Sequence, residues 1–427
     1  MTDSLPTPPA SALPSPSLRV APASQGWEDS EVTAQISGEA NVKQFQKIQR
    51  DFRSDTLTIQ SDQMMLAALR ATRGDDVYGE DASTGELEAR IVKMTGKEAA
   101  LFAASGTMTN QLAIRAHLKQ PPHSVILDYR AHVHKMEAGG IAMFSQATTH
   151  QLFPANHLYL TAKEIEKALE LGSNIHHAPT RLICLENTMS GMVFPQEEIV
   201  KIGEVAKKHD ITLHCDGARM WNTAARVIEE RGLDATSETD RQTVMTELLA
   251  PFDSASLCLS KGIGAPIGSV LVGSKEMIDR ARWFRKMFGG GVRQVGMCTA
   301  AADFALDNIF PRLAGTHALA TRLADGLRKA GCDILAPVDT NMVFFDPSRL
   351  GFTAADVHAR LLQLPDPLIG GMAERVVVHH QINPQAVEDF ITTVQEMKNE
   401  KGLVSHGTEG DAWAEEGQLR KEMALGY

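Results

Sequence analysis

Lys261 sits where a lysine has little ordinary reason to be. The segment SLCLSKGIGAPIGS, residues 256–269, carries an apolar, strand-forming run (Leu257, Cys258, Leu259) straight into Ser260-Lys261-Gly262. A second run (Val270, Leu271, Val272) follows a Gly/Pro-rich turn. Desolvation disfavours the charged ammonium, and lysines otherwise stay in water. A lysine between two core strands therefore points to amine chemistry. Its commonest form is a Schiff base with a carbonyl cofactor or substrate.

Other groups could serve such a centre. In ASGTMTN, residues 104–110, Ser105-Gly106-Thr107 joins an apolar run to a helical pattern. The N–H groups of a helix N-terminus, a hydroxyl and a glycine that admits close approach make a phosphate cradle, although the same tripeptide is also an ordinary turn. In HCDGARMWN, residues 214–222, Asp216 ends a strand-like run. A buried carboxylate needs a partner, which is either Arg219 or the protonated ring nitrogen of pyridoxal phosphate. Arg219 equally suits a substrate carboxylate. DYRAHVHKMEAGG, residues 128–140, holds His132, His134 and Glu137. The two histidines find no third ligand at convincing spacing, so no metal is expected. An imidazole stacked on an aromatic cofactor fits better. GGGVRQVG carries Arg293, and ERVVVHHQ starts a strand with Arg375; the latter is either a carboxylate anchor or a surface ion pair.

Positioning these groups falls to alternating strands and helices. Helical patterns cover residues 86–97, 107–119 and 196–209, and short apolar runs at 99–103, 125–127, 182–185, 211–214, 256–259 and 269–272 read as strands. Nearly continuous hydrophobicity is the mark of parallel strands covered on both faces. The alternation predicts an α/β fold, a large doubly wound domain with a mainly parallel sheet. A smaller α+β domain is expected after it, from helix 317–330, strand 341–345, helix 353–363, strand 375–379 and helix 384–398. The divisions are 1–45, a disordered Pro/Ser-rich arm; 46–310, the large domain; 311–400, the small domain; and 401–427, a polar tail. The stretch 229–250 reads as a surface excursion. Polar residues follow the predicted strands at 105–107, Asp128, Glu186-Asn187, Asp216 and Lys261, and in open α/β sheets those carboxyl ends line the ligand crevice.

Composition narrows the partners. The 427 residues carry a net charge of −11, which gives a nucleic-acid partner no electrostatic support. No run approaches the roughly 18 apolar residues of a membrane span. The five cysteines form no CxxC pair, and read as reduced thiols in a cytoplasmic protein.

Several segments together carry a family signature: DFRSDTLT, GDDVYGEDAST, SGTMTNQLAIRAHL, YRAHVHKMEAGG, HCDGARMWN, CLSKGIGAPIGSVLVG and FRKMFGGGVRQVG. In this order they resemble the low-specificity L-threonine aldolases of fungal type, over about residues 50–400. The resemblance implies the fold-type-I, pyridoxal 5'-phosphate-dependent transferase-like architecture. It implies Lys261 as the Schiff-base lysine, Asp216 as the pyridinium partner and His132 as the residue over the ring. Gly106 and Thr107, with Ser260 nearby, match the phosphate-binding pair, and Ser54, Arg219 and Arg375 the substrate-carboxylate contacts. His176 matches a second histidine near the β-hydroxyl. Tyr78 and Arg293 match residues that enter the site from a neighbouring subunit, which implies a homotetramer. One departure stands in ENTMSGMVFP, where Met189-Ser190 replaces the His-Asn of many bacterial relatives.

The implied reaction is cleavage of L-threonine or L-allo-threonine to glycine and acetaldehyde, with His132 or His176 managing the hydroxyl proton. The rival within the fold is an alanine racemase, which breaks Cα–H instead. A rival of another kind, a non-catalytic protein of this fold, would be expected to have lost Lys261 or Asp216.

Overall fold

The computed structural model describes residues 30–401, with side chains from residue 38 onward. Seven strands form the main sheet: β1 (Ala99–Ala103), β2 (Ser124–Asp128), β3 (Thr148–Leu152), β4 (Thr180–Glu186), β5 (Thr212–Asp216), β6 (Ser254–Cys258) and β7 (Ser269–Gly273). Their spatial order is β1-β7-β6-β5-β4-β2-β3. The pairs β2–β3, β2–β4, β4–β5 and β5–β6 are parallel, and β7 is antiparallel to both of its neighbours. Only β7 therefore runs backwards, and six strands deliver their carboxyl ends to one edge of the sheet.

Both faces of that sheet are covered except along the edge strand β3, whose residues are partly or fully exposed. Ile126, Ile183, Leu213 and Leu257 point into one cluster, shared with helices Ala82–Thr95, Gln196–Lys208 and Met220–Glu230. Val125, Leu127, Leu182 and Cys184 point the other way, as do Leu101 and Leu271, against helices Gly106–His117 and Lys275–Met287. Side chains alternate across a strand, so two-sided burial demands the unbroken apolar runs that the sequence displays.

A second unit holds β8 (Asp333–Ile334), β9 (Met342–Asp346) and β10 (Arg375–Val377) in the antiparallel order β10-β9-β8. Helices Leu313–Ala330, Ala354–Leu361 and Pro384–Glu400 cover it, with Leu327, Phe345, Val357 and Phe390 in its core. Phe52 belongs to the same core and meets Phe390 edge-on at 5.8 Å. The Val377 N–H donates to the Phe52 carbonyl at 2.8 Å. The chain around residue 52 is thus pinned to the second unit before it continues into the main one.

Two expectations need correcting. Residues 30–45 were expected to belong to a disordered arm; they lie in a helix, Ser30–Ile48, broken at Gly38, while residues 1–29 fall outside the described part. The tail beyond residue 401 falls outside it as well. The stretch 229–250 is no surface excursion. It contains helix Glu238–Leu249, whose Val244, Met245 and Leu249 are fully buried against helices Ala82–Thr95 and Met220–Glu230. Its other face carries Glu238, Asp240 and Glu247, and those charges hid the apolar stripe. Met245→Ala should therefore cost about 2–5 kcal/mol, as for a core truncation, against about 0.5 kcal/mol or less at a surface site. Chemical denaturation of the variant measures the difference.

Candidate active site

The carboxyl edge of the sheet is where the sequence-predicted groups collect. β1 ends at Ala103, and Ser105 then caps helix Gly106–His117, its hydroxyl accepting from the Met108 N–H at 3.1 Å. Ser105 and Thr107 are exposed at this helix N-terminus. Gly106 lies hard against the end of β6: a Cβ there would sit 2.4 Å from the Cys258 sulfur. Only glycine lets the cradle approach the strand that leads to Ser260 and Lys261.

Lys261 is half-buried rather than enclosed, because β6 ends at Cys258 and the lysine sits on the turn beyond the sheet. Among the described residues no acceptor takes a hydrogen bond from its ammonium. Its charge nonetheless reaches Asp55, His132, Glu186 and Cys258.

Three acids gather around His132. Asp216, the last residue of β5, is buried and is register partner to Glu186, the last residue of β4. Burial and the neighbouring Asp216 charge push the Glu186 carboxyl up from its ordinary range. Glu186 accepts from the His132 backbone N–H at 2.8 Å, which ties β4 to the short helix His132–Lys135. Glu137, also buried, lies 2.9 Å from His132 Nδ1 and takes a second bond from Gln111 at 2.7 Å. The Asn110 amide donates to both Glu137 and Asp216, each at 2.9 Å. The hydrogen bond that Glu137 accepts from Nδ1–H, helped by Asp216 and Glu186, raises the His132 pKa against the opposing effects of burial and Lys261. With Nδ1–H spent on a carboxylate, Nε2 is the ring atom left to exchange a proton.

Arg219 is engaged by another acid. Its guanidinium clasps buried Asp55 from two nitrogens, at 2.8 and 2.7 Å. Burial alone would push the Asp55 carboxyl up; the charge and hydrogen bonds of Arg219, with Lys261 and Asn341, hold it at about 2. Ser54 precedes Asp55 and caps its short turn. Arg375 opens β10 on the same face as Val377, which packs with Met192 from the loop after β4. That loop contains the departing Met189-Ser190 pair, both buried.

Other expected residues lie apart within one chain. Tyr78 is exposed and stacks under Arg293, which pairs with Asp75 at 2.7 Å. His176 is exposed on the loop before β4, at the opposite edge of the sheet from Asp216. His134 turns away to Gln151.

His132, Glu137 and Asp216 also bring potential ligand atoms within 4.8 Å of one another, a trio that the His132/His134 spacing did not suggest. Their polar atoms already serve each other and Asn110. The donor set fits pyridoxal phosphate: a half-buried amine, a buried carboxylate at a strand end, an imidazole beside them and a helix N-terminus that approaches through glycine. Sequence reading passed over Asn110, Asp55 and the pairing of Glu186 with Asp216. The last had a visible signal, an acid closing each of two apolar runs.

This edge-of-sheet constellation on a mainly parallel α/β scaffold defines a class, and comparison with known proteins gives it a family. The beta-eliminating lyase family matches residues 51–349. The probable low-specificity L-threonine aldolase of Schizosaccharomyces pombe is 43% identical over 358 residues, covering 83% of this chain and 89% of that protein. The low specificity L-threonine aldolase of Saccharomyces cerevisiae is 42% identical over 348 residues, covering 81% and 86%. An alanine racemase of Cochliobolus carbonum is 34% identical over 349 residues, covering 80% and 85%. Among solved structures, a threonine aldolase of Leishmania major superposes with a TM-score of 0.67 at 19% identity, covering 82% of this chain and 99% of that one. The chain belongs to the beta-eliminating lyase family, and within it to the group of the low-specificity L-threonine aldolases.

The Glu137–His132 contact carries a pH signature. A neutral amide at position 137 removes the anion that raises the His132 pKa, so Glu137→Gln should move the His132 titration to lower pH. Any activity that needs neutral His132 should then keep its rate further into acid. A pH–rate profile beside histidine NMR measures both shifts.

Proposed function

We propose that this protein is a pyridoxal phosphate-dependent L-threonine aldolase that cleaves L-threonine and L-allo-threonine to glycine and acetaldehyde. The observation that carries the reading is the gathering of Lys261, Asp216, His132 and the 105–107 helix start at one sheet edge, in a chain 43% identical to a probable low-specificity L-threonine aldolase.

Lys261 would hold the cofactor covalently as a Schiff base. Asp216 would accept from its ring nitrogen, and His132 would cover its ring. Ser105, Gly106 and Thr107, with Ser260, would bind the phosphate through N–H and hydroxyl donors. Bound there, the cofactor supplies an electron sink for the charge left at Cα when the Cα–Cβ bond breaks. Arg219, already oriented by Asp55, would receive the substrate carboxylate with Ser54 and Arg375. His132 Nε2 would take the proton from the β-hydroxyl as the aldehyde leaves. His132 is favoured over His176 because it touches the acid cluster, whereas His176 lies at the far edge of the sheet within one chain.

Tyr78 and Arg293 form one exposed pair, which supports their entry into a neighbouring subunit's site and a homotetramer. No helix among the described residues is long and apolar enough to cross a membrane. All five cysteines are unpaired, which supports a reducing, cytoplasmic setting.

The racemase reading has one observation behind it, the 34% identity to an alanine racemase. Steady-state assays of L-threonine, L-allo-threonine and L-alanine separate the two readings: aldehyde release from the first two supports the aldolase, and exchange of alanine Cα–H in deuterated water supports the racemase. Lys261→Ala should abolish both the visible absorbance of the bound cofactor and the cleavage. A variant that keeps both would overturn the central assignment.

A further inference from the structure

Asn110 bonds Glu137 and Asp216 together, and the chain behind it fixes which way its amide faces. Asn110 is buried, on the first turn and a half of helix Gly106–His117. Its Nδ2 donates to Glu137 and to Asp216. Its Oδ1 lies 3.2 Å from His214 Nε2. His214 Nδ1 lies 2.8 Å from the Ser254 hydroxyl, and His117 Nε2 reaches the same hydroxyl at 2.7 Å. Burial drives the His214 pKa down to about 3, so its ring is neutral with one donor and one acceptor. His117 is likewise held down, to about 4, by burial.

Those facts admit one direction of donation. A flipped amide would aim its oxygen at two carboxylates. The oxygen therefore faces His214, whose Nε2–H donates to it. His214 Nδ1 must then accept from the Ser254 hydroxyl, and the Ser254 oxygen must accept from His117 Nε2–H. The chain runs inward from His117 through Ser254, His214 and Asn110 and ends on Glu137 and Asp216, with every link a donor pointed at the acids.

We infer that Asn110 is a positioning residue that couples the two halves of the site, holding the Glu137 and Asp216 side chains side by side so that one can orient His132 while the other faces the cofactor ring. Two carboxylates this close repel each other. A donor shared between them offsets that repulsion and fixes where each side chain sits. The ionisable neighbours are consistent with this role. Glu186 from β4 adds negative charge, Lys261 from beyond β6 adds positive charge, and the buried thiols of Cys184 and Cys215 are pushed up and stay protonated.

The inference rests on the proposed reading only for what Asp216 faces, so its test uses the cofactor-free protein. Without the shared donor Glu137 is no longer held against Nδ1, and the contact that raises the His132 pKa weakens. In Asn110→Leu and in Asn110→Ala, the His132 midpoint followed by histidine-selective NMR should therefore move downward, in the same direction as in Glu137→Gln, by about one unit, the size of a lost charge-assisted hydrogen bond. A purely structural role predicts lower thermal stability with the His132 midpoint unchanged, and that result in either folded variant overturns the inference. Should neither variant fold, the unmodified protein decides: its Asn110 side-chain amide protons should titrate with the His132 midpoint, and amide protons indifferent to that titration overturn the coupling. Loss of the aldolase reading alone would appear as absent cleavage with the coupled titration intact.

Discussion

Everything at this site depends on keeping several acids ionisable in a place that disfavours charge. Asp216 and Glu186 end adjacent parallel strands in direct register, and Glu137 joins them from the segment after β2. Parallel pairing makes that closeness unavoidable, because strand ends that share an edge also share their terminal side chains. The fold answers with donors: the Asn110 amide, the Ala218 N–H on Asp216 at 3.1 Å, the Gln111 amide on Glu137 and the His132 N–H on Glu186. Lys261 then approaches a surplus of negative charge, and a lysine on a sheet-edge turn becomes tolerable there.

The same balance is struck where the second unit meets the first. Asp55 is fully buried, and its charge is met by Arg219 and by Asn341 at 3.3 Å. Arg219 stands at the start of helix Met220–Glu230, Asn341 stands just before β9, and Asp55 follows the strand-like stretch pinned by Phe52. One carboxylate thus ties three separate parts of the chain around the crevice. Breaking such a pair by removing one partner costs about 3–5 kcal/mol, since it strands a buried charge. The clasp also orients Arg219, so a role in binding a carboxylate ligand would begin with a side chain whose freedom is already restricted.

Much of this was legible in the sequence for one physical reason. Strands covered on both faces must be largely apolar, and charged residues gather where such strands end. The runs at 99–103, 182–185 and 269–272 therefore announced β1, β4 and β7, and the residues after the runs announced Asp216 and Lys261. Partnership was not legible. Asn110 and Asp216 are 106 residues apart, and Asp55 and Arg219 are 164 apart; only register and packing bring them together. Arg219 beside Asp216 in the sequence suggested a pair, whereas its guanidinium clasps Asp55. Helix Glu238–Leu249 was hidden by its charged outer face, and the position of Lys261 was read as more enclosed than it is, because the apolar run extends one residue past the end of β6.

His132 shows how the buried network acts on the open side of the site. Its two ring nitrogens have different fates. Nδ1 is committed to Glu137, which is itself held by Asn110 and Gln111, so the ring cannot turn without leaving a buried carboxylate short of a donor. Nε2 remains for proton exchange, on a side chain that keeps about a third of its surface exposed. Glu137 and Asp216, which raise its proton affinity, are buried, while half-buried Lys261 lowers it. A group that occupies Lys261 covalently and removes its positive charge would therefore strengthen His132 as a proton acceptor. In this arrangement the amine that captures a carbonyl and the imidazole that takes a proton are not independent: modification of the first prepares the second.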